Sequence, residues 1–320
     1  MQTKSKYLKL GAVIALSLAA LLLGLFHALS FGIGYDDESV HTVFVESEED
    51  LREMGGSFHN NICYLANDIT VSELSVLASE RHPFVGTFDG QGHTVTLTGD
   101  AALKSFFGYI GEGGTVRNLR IVVENATLAT RATRSVCASL ALKNEGLIEN
   151  CRVTVKELSV ELRGHYGATV GINRGTVRYC FAEANFVGNM PAEERQSSGK
   201  LLLSAGVAYN YGTVDTLVAS VTYRGIDEAN GDLATDAQNP AQNRGVGAAV
   251  ANNFEGGRVE NTYALIETGT YLHDVHVNPL TQSSTDPDSI YSITLLFETL
   301  NFDENVWILR NREPVFIQGD

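Results

Sequence analysis

Few side chains in this 320-residue chain are spaced for chemistry. Asp89 and His93 stand close enough for an acid/base pair or for two metal ligands. The favoured reading is architectural: Asp89-Gly90 makes a turn and His93 hydrogen-bonds across to a neighbouring coil. Arg163-Gly164-His165-Tyr166 offers a cation, an imidazole and a phenol in one string, and reads just as well as an ordinary loop. Tyr209, Tyr211, Tyr223, Tyr263 and Tyr271 form a candidate aromatic surface for stacking on sugar rings, although half of them fit better inside the fold. Tyr209, Tyr211, Tyr223, Arg163 and His165 are the candidate ligand-binding residues. No catalytic residue, metal site or cofactor is assigned.

The four cysteines (Cys63, Cys137, Cys151 and Cys180) lack C-x-x-C spacing, which disfavours zinc. No histidine lies near them in sequence, and a buried thiol is a poor nucleophile. A polysaccharide lyase or hydrolase would need grouped carboxylates, or an acid beside a cation in a groove. The only Asp-Asp pair, Asp36-Asp37, sits next to an apolar segment far from any such groove. Lys and Arg total 23 against 38 Asp and Glu, a net charge of −15. That surface repels phosphate backbones, so nucleic acid is excluded as a partner.

The elements that hold these residues come from an internal repeat. Gly114-Thr115-Val116-Arg117-Asn118-Leu119 recurs as Gly146-Leu147-Ile148-Glu149-Asn150-Cys151 and as Gly175-Thr176-Val177-Arg178-Tyr179-Cys180. Further copies begin at Gly212 and Gly257. Asn144, Asn173 and Asn210 stand two residues before their glycines, whereas in the fifth copy Asn252 and Asn253 are displaced by a small insertion. Asn-x-Gly reads as a turn, because both residue types tolerate left-handed backbone angles. A short strand follows, with Val116, Ile148, Val177, Val214 and Val259 pointing inward. The next inward position is at Asn118, Asn150, Tyr179, Thr216 and Asn261, or one residue beyond, depending on the bend.

Such a unit cannot bury itself alone, but equivalent strands stacked at about 4.8 Å per layer can. The expected fold is therefore all-β, a parallel β-solenoid. Surplus residues between copies leave the stack as loops, with Gly188 to Lys200 and Gly225 to Arg244 the candidates. Glu149, Asp215 and Glu260 share one repeat position with Arg117 and Arg178. They form either a stripe for calcium or a cationic ligand, or ion pairs between neighbouring layers, and the alternation of sign favours the latter. Cys151 and Cys180 should stack in adjacent layers, as buried thiols or as a disulfide of imperfect geometry.

Ahead of the repeats, Lys4, Lys6 and Lys9 precede an apolar run from Leu10 that continues to Ile33. A basic flank before an apolar helix is an export signal. As a helix the run would span roughly 36 Å at about 1.5 Å per residue, enough to cross a bilayer. Ala28-Leu29-Ser30 also suits a signal peptidase. Residues 1–34 are thus a membrane anchor or a cleaved signal, 35–41 a linker, and 42–320 a body outside the cytoplasm. Exposed solenoid ends need caps. Residues 42–60 supply one, with a helix capped by Ser47 and closed by Gly55. Residues 288–320 supply the other, with a helix over Ser292 to Leu300, a strand from Pro314 to Ile317 and Trp307 plugging the last coil.

Phe84-Val85-Gly86-Thr87-Phe88-Asp89-Gly90-Gln91-Gly92-His93-Thr94-Val95 resembles the entry coil of the GLUG-motif family, F-x-G-x-F-D-G-x-G-H-x-I. Tyr64-Leu65-Ala66-Asn67-Asp68-Ile69 is similar to that family's first strand. Phe106-Phe107-Gly108-Tyr109-Ile110 stands where the motif reads G-L-F-G-x-I, with Ser105 and Phe106 replacing its first two residues. Phe302-Asp303 through Trp307 to Pro314-Val315-Phe316 resembles the closing segment. The resemblance implies a right-handed parallel β-helix in a secreted or surface-exposed bacterial protein, and brings no catalytic residues. The expected role is non-enzymatic adhesion or binding of an extracellular glycan or surface protein. A carbohydrate-active enzyme using the same groove is the alternative, and a structural spacer a third reading.

Overall fold

A computed structural model describes residues 40–54, 59–73, 76–129, 136–161, 164–189, 201–224, 245–247, 249–266, 300, 302–303, 306–310 and 313–316. The N-terminal apolar segment, both candidate loops beyond Asn189, Gly55, Tyr271, Arg163 and the helix expected over Ser292 to Leu300 (save Leu300) lie outside them. No helix among the described residues is long and apolar enough to cross a membrane.

Strands dominate, and they pair in parallel. The five glycine-led copies lie side by side in one sheet: Thr115–Arg117, Leu147–Glu149, the start of Thr176–Gly188, the start of Thr213–Arg224, and Arg258–Glu260. Val116, Ile148, Val177, Val214 and Val259 fall in one register column. The first four are fully buried. The same column continues through Phe88 and Cys63 to Val43. Gly86-Thr87-Phe88-Asp89 is therefore a further copy of the unit. Its large Phe88 fills the core where later copies carry valine or isoleucine.

Two more parallel sheets complete each layer. One holds Phe107–Ile110, Ala141–Asn144, Val170–Asn173, Val207–Asn210 and Val250–Asn253. The other holds Val136–Ala138, His165–Gly167, Leu202–Ser204 and Gly245–Gly247. Between the sheets runs one apolar core, aromatic at its start (Phe84, Phe88, Phe106, Phe107) and built of Val, Ala and Leu further on. This arrangement is consistent with an all-β parallel solenoid.

The turn chemistry differs from the sequence expectation in its cause. Neither the repeat asparagines nor the repeat glycines have positive φ. Each glycine is required instead by close approach of backbones. A Cβ on Gly146 would lie 2.2 Å from the Gly114 carbonyl oxygen, and one on Gly175 2.1 Å from that of Gly146. The asparagines are buried and form a ladder. Asn144 Nδ2 donates to Asn173 Oδ1 at 2.8 Å, Asn173 to Asn210 at 2.8 Å, and Asn210 to Asn253 at 2.7 Å. Asn253 is thus in register despite the insertion, which bulges out afterwards through Gly256 at φ +88°.

The left-handed residues sit after the inward valine, at Asn118, Asn150, Tyr179, Thr216 and Asn261, with φ between 45° and 54°. That kink moves the next inward position one residue on, to Leu119, Cys151, Cys180, Leu217 and Thr262, all buried. Cys151, Cys180 and Thr262 each donate to the carbonyl two residues back, at 3.3, 3.2 and 2.8 Å. A thiol here acts as a small apolar plug with a weak donor, and all four thiols are free.

At the N-terminal end, Glu48–Met54 is the expected helix. Ser47 Oγ accepts from the Asp50 N–H at 3.3 Å, and Asp50 Oδ2 accepts in return from the Glu46 N–H at 2.8 Å. Leu51 is buried in the main core, and the helix lies against Thr42–Val45 and Ile69–Val71. At the C-terminal end Trp307 is placed differently from the expectation. It does not plug a coil. It packs with Phe302 on the outer side of the sheet, against Phe181 and Val218, as a separate apolar cluster. The strand expected over Pro314 to Ile317 spans Glu313–Phe316 and pairs antiparallel with Trp307–Arg310. Phe181 and Val218 point outward because their neighbours Cys180, Ala182, Leu217 and Ala219 point inward, so the C-terminal segment shields apolar rings that solvent would otherwise meet.

Candidate functional site

The tyrosine candidates divide. Tyr209 and Tyr211 do lie together on one side of the fold, in the layer between Arg174 and Phe254. Their ring faces, however, are already occupied. Tyr211 stacks on Phe254 with centroids 4.3 Å apart and planes 5° from parallel, while the Arg174 guanidinium covers the ring at 4.9 Å. Tyr209 leans on the same Phe254 at 5.7 Å. Its hydroxyl meets Nδ1 of the buried His165 at 2.6 Å. Burial pushes the Tyr209 phenol up to about 12. A sugar needs an open aromatic face, and this column presents ring edges. Tyr263 packs with the Trp307 cluster. The backbone of Tyr223 pairs with that of Phe186.

Asp89 and His93 do not meet as an acid/base pair. Asp89 accepts from the Gln91 N–H at 3.0 Å, from Asn118 Nδ2 at 3.1 Å and from Arg117 Nε at 2.9 Å. His93 Nδ1 instead lies 3.3 Å from Asp68 Oδ1. The charged column resolves into ion pairs between layers: Arg117 with Asp89, and Arg178 with Glu149 at 2.7 Å. Asp215 accepts from Asn261 Nδ2 at 2.9 Å, and Glu260 pairs with Arg258 on its own strand. Among the described residues no three His, Cys, Asp or Glu side chains come together. Three of the four thiols are buried. Burial pushes Cys63 up to about 12 and raises Cys151 well above the usual thiol value.

Lys143, Tyr109 and Glu145 make a separate surface triad. The Tyr109 hydroxyl donates to Glu145, and Lys143 Nζ lies 3.2 Å from Glu145 and 4.3 Å from the ring centroid of Tyr109. The bond from Tyr109 holds the Glu145 carboxyl below the usual range, and partial desolvation with the Glu145 charge raises the phenol.

A concave feature that sequence spacing missed lies where the C-terminal segment meets the column of left-handed corners. It is a cleft of about 470 Å³. Arg117, Asn118, Glu149, Asn150 and Tyr179 line it from three successive layers, and Asp303 and Val306 close it from the other side. Trp307 Nε1 donates to Asn150 Oδ1 at 3.4 Å, tying the two walls together. Tyr179 packs edge-on against Phe302. Asparagine is at home in a left-handed corner, whereas a tyrosine there is strained by about 1–2 kcal/mol. One signal in the sequence pointed this way: Tyr179 replaces the Asn of Asn118 and Asn150 in otherwise matching repeats. The opposite wall comes from more than a hundred residues downstream and shares no spacing with the repeat. No family model, curated protein or solved structure matches this chain.

Proposed function

We propose that this chain is a bacterial envelope protein, tethered by or secreted through residues 1–34, whose body is a right-handed parallel β-helix acting as a non-enzymatic module for adhesion or ligand binding. Right-handedness is what the GLUG-like strings imply, and the strong bias of parallel crossovers supports it. The Lys-flanked apolar run supports the location, and the GLUG-like strings within residues 42–320 support a surface-exposed family. The observation that carries the non-enzymatic reading is the charged column. Asp89 and Glu149 are each bound to an arginine of a neighbouring layer, so both carboxylates are committed to ion pairs that tie layers together. The test incubates the purified full chain with acidic and neutral polysaccharides and with matrix proteins. Binding without unsaturated or reducing-end products is expected. Turnover that one outward acid or arginine substitution abolishes would overturn the reading.

A further inference from the structure

We infer that the cleft under the C-terminal segment is a binding site for an uncharged saccharide, an inference that rests on the binding-module reading and names its site and ligand class. The cleft's volume of about 470 Å³ lies within the range of small-ligand pockets. Its polar groups are half engaged, and the halves left over are complementary to hydroxyl groups. Arg117 uses Nε on Asp89, so its two terminal nitrogens remain as donors. Glu149 receives both Arg178 bonds on Oε2, so Oε1 remains as an acceptor. Asn118 gives Nδ2 to Asp89 and forms part of the cleft wall.

A hydroxyl both donates and accepts, so a vicinal diol can take a bond from Arg117 and return one to Glu149 on the adjacent layer, about 4.8 Å away. Each of those charges is already neutralised by its own partner, and the chain as a whole is strongly acidic. An anionic ligand therefore gains nothing from the site, and a neutral one is not penalised. Tyr179 adds an aromatic wall, with Phe302 edge-on to its ring and the Arg178 guanidinium 5.9 Å from the ring centroid. Asparagine occupies that corner in both preceding layers and threonine in the next, so the tyrosine is particular to this layer.

The test titrates the full chain, in mild detergent, with cellotetraose, xylotetraose, mannotetraose, maltotetraose, chitotetraose and the anionic tetragalacturonate, following heat and ligand-detected NMR. At least one neutral tetrasaccharide should bind, and tetragalacturonate should bind at least tenfold more weakly. Tyr179→Asn and Arg117→Lys should each weaken binding at least tenfold in chains that circular dichroism shows to be folded, because the first removes the ring and the second the two terminal guanidinium donors. Tyr211→Ala, on the other face, should leave affinity unchanged. Absence of binding by every neutral tetrasaccharide, or binding that survives both cleft variants, would overturn the inference. In the second of these cases the binding-module reading would stand, with its ligand held elsewhere. Cleavage of a bound tetrasaccharide would instead overturn the module reading while leaving the cleft as the site.

Discussion

Replacing Asn173 with alanine removes the middle step of the buried amide ladder. Asn173 accepts from Asn144 Nδ2 at 2.8 Å and donates to Asn210 Oδ1 at 2.8 Å and to the Thr213 carbonyl at 3.1 Å. After truncation, Asn210 Oδ1 and the Thr213 carbonyl lose a donor, and Asn144 Nδ2 keeps only the Thr176 carbonyl at 3.3 Å. A buried polar group left without a partner costs about 1–3 kcal/mol, so the sum here is about 3 kcal/mol. Asn253 ends the ladder among the described residues and is only half-buried. If Asn253 becomes alanine, Asn210 Nδ2 still reaches two carbonyls at 3.2 Å, and the expected loss is about 1 kcal/mol. Because stacked repeats can open locally, hydrogen exchange read on peptides covering Val170–Asn173 and Val207–Asn210 is the suitable assay. Asn173→Ala should lower protection there by about a hundredfold, since each 1.4 kcal/mol is a factor of about ten. Asn253→Ala should lower it less than tenfold. Equal effects of the two variants would refute the ladder as the source of stability.

Gly175→Ala should destabilise by more than about 3 kcal/mol in urea unfolding, because its Cβ would sit 2.1 Å from a backbone oxygen that cannot move without separating layers. Val177→Asp should be worse, placing an unpaired charge in a fully buried column, and a parent-like melting curve would show the inward register to be wrong. Cys63, Cys151 and Cys180 should resist a thiol reagent at pH 8 until the chain is unfolded, with the half-buried Cys137 reacting first. Glu48 accepts from the Glu73 and Ser72 N–H groups, and the first of these bonds chiefly holds its carboxyl below the ordinary 4.5. Its folded-state pKa is thus below the unfolded one. The stability it adds is present above the unfolded value and is lost as pH falls through the folded value. Glu48→Gln should flatten the acid limb of exchange protection at Ile69–Val71, and an unchanged pH profile would contradict this role.

The layered architecture was legible because a stack repeats its chemistry at each layer. Gly, an inward aliphatic and an outward charge recur in the same order from Gly114 to Gly257. What sequence could not show was why those residues recur. Asn-x-Gly looks like a left-handed turn, yet its asparagines bond side chain to side chain across layers and its glycines make room for a neighbouring carbonyl. The insertion before Gly257 hid Asn253, because register is a property of the stack and not of distance from the glycine. The tyrosines at 209 and 211 share Phe254 as a partner, and nothing in their spacing tells that Phe254 and Arg174 cover their faces. The cleft depends on Trp307 and Phe302 finding Phe181 on the outer side of a sheet. A single-chain pattern of inward and outward positions marks Phe181 as exposed without saying what covers it.

The most direct test of the stacked-layer account is a methyl-labelled NMR measurement on the full chain in detergent. Strong cross-peaks are predicted from Ile148 to Val177 and from Val177 to Val214, with none from Ile148 to Val214, two layers apart. Cross-peaks that skip a layer, or that pair these strands in the antiparallel sense, would contradict it.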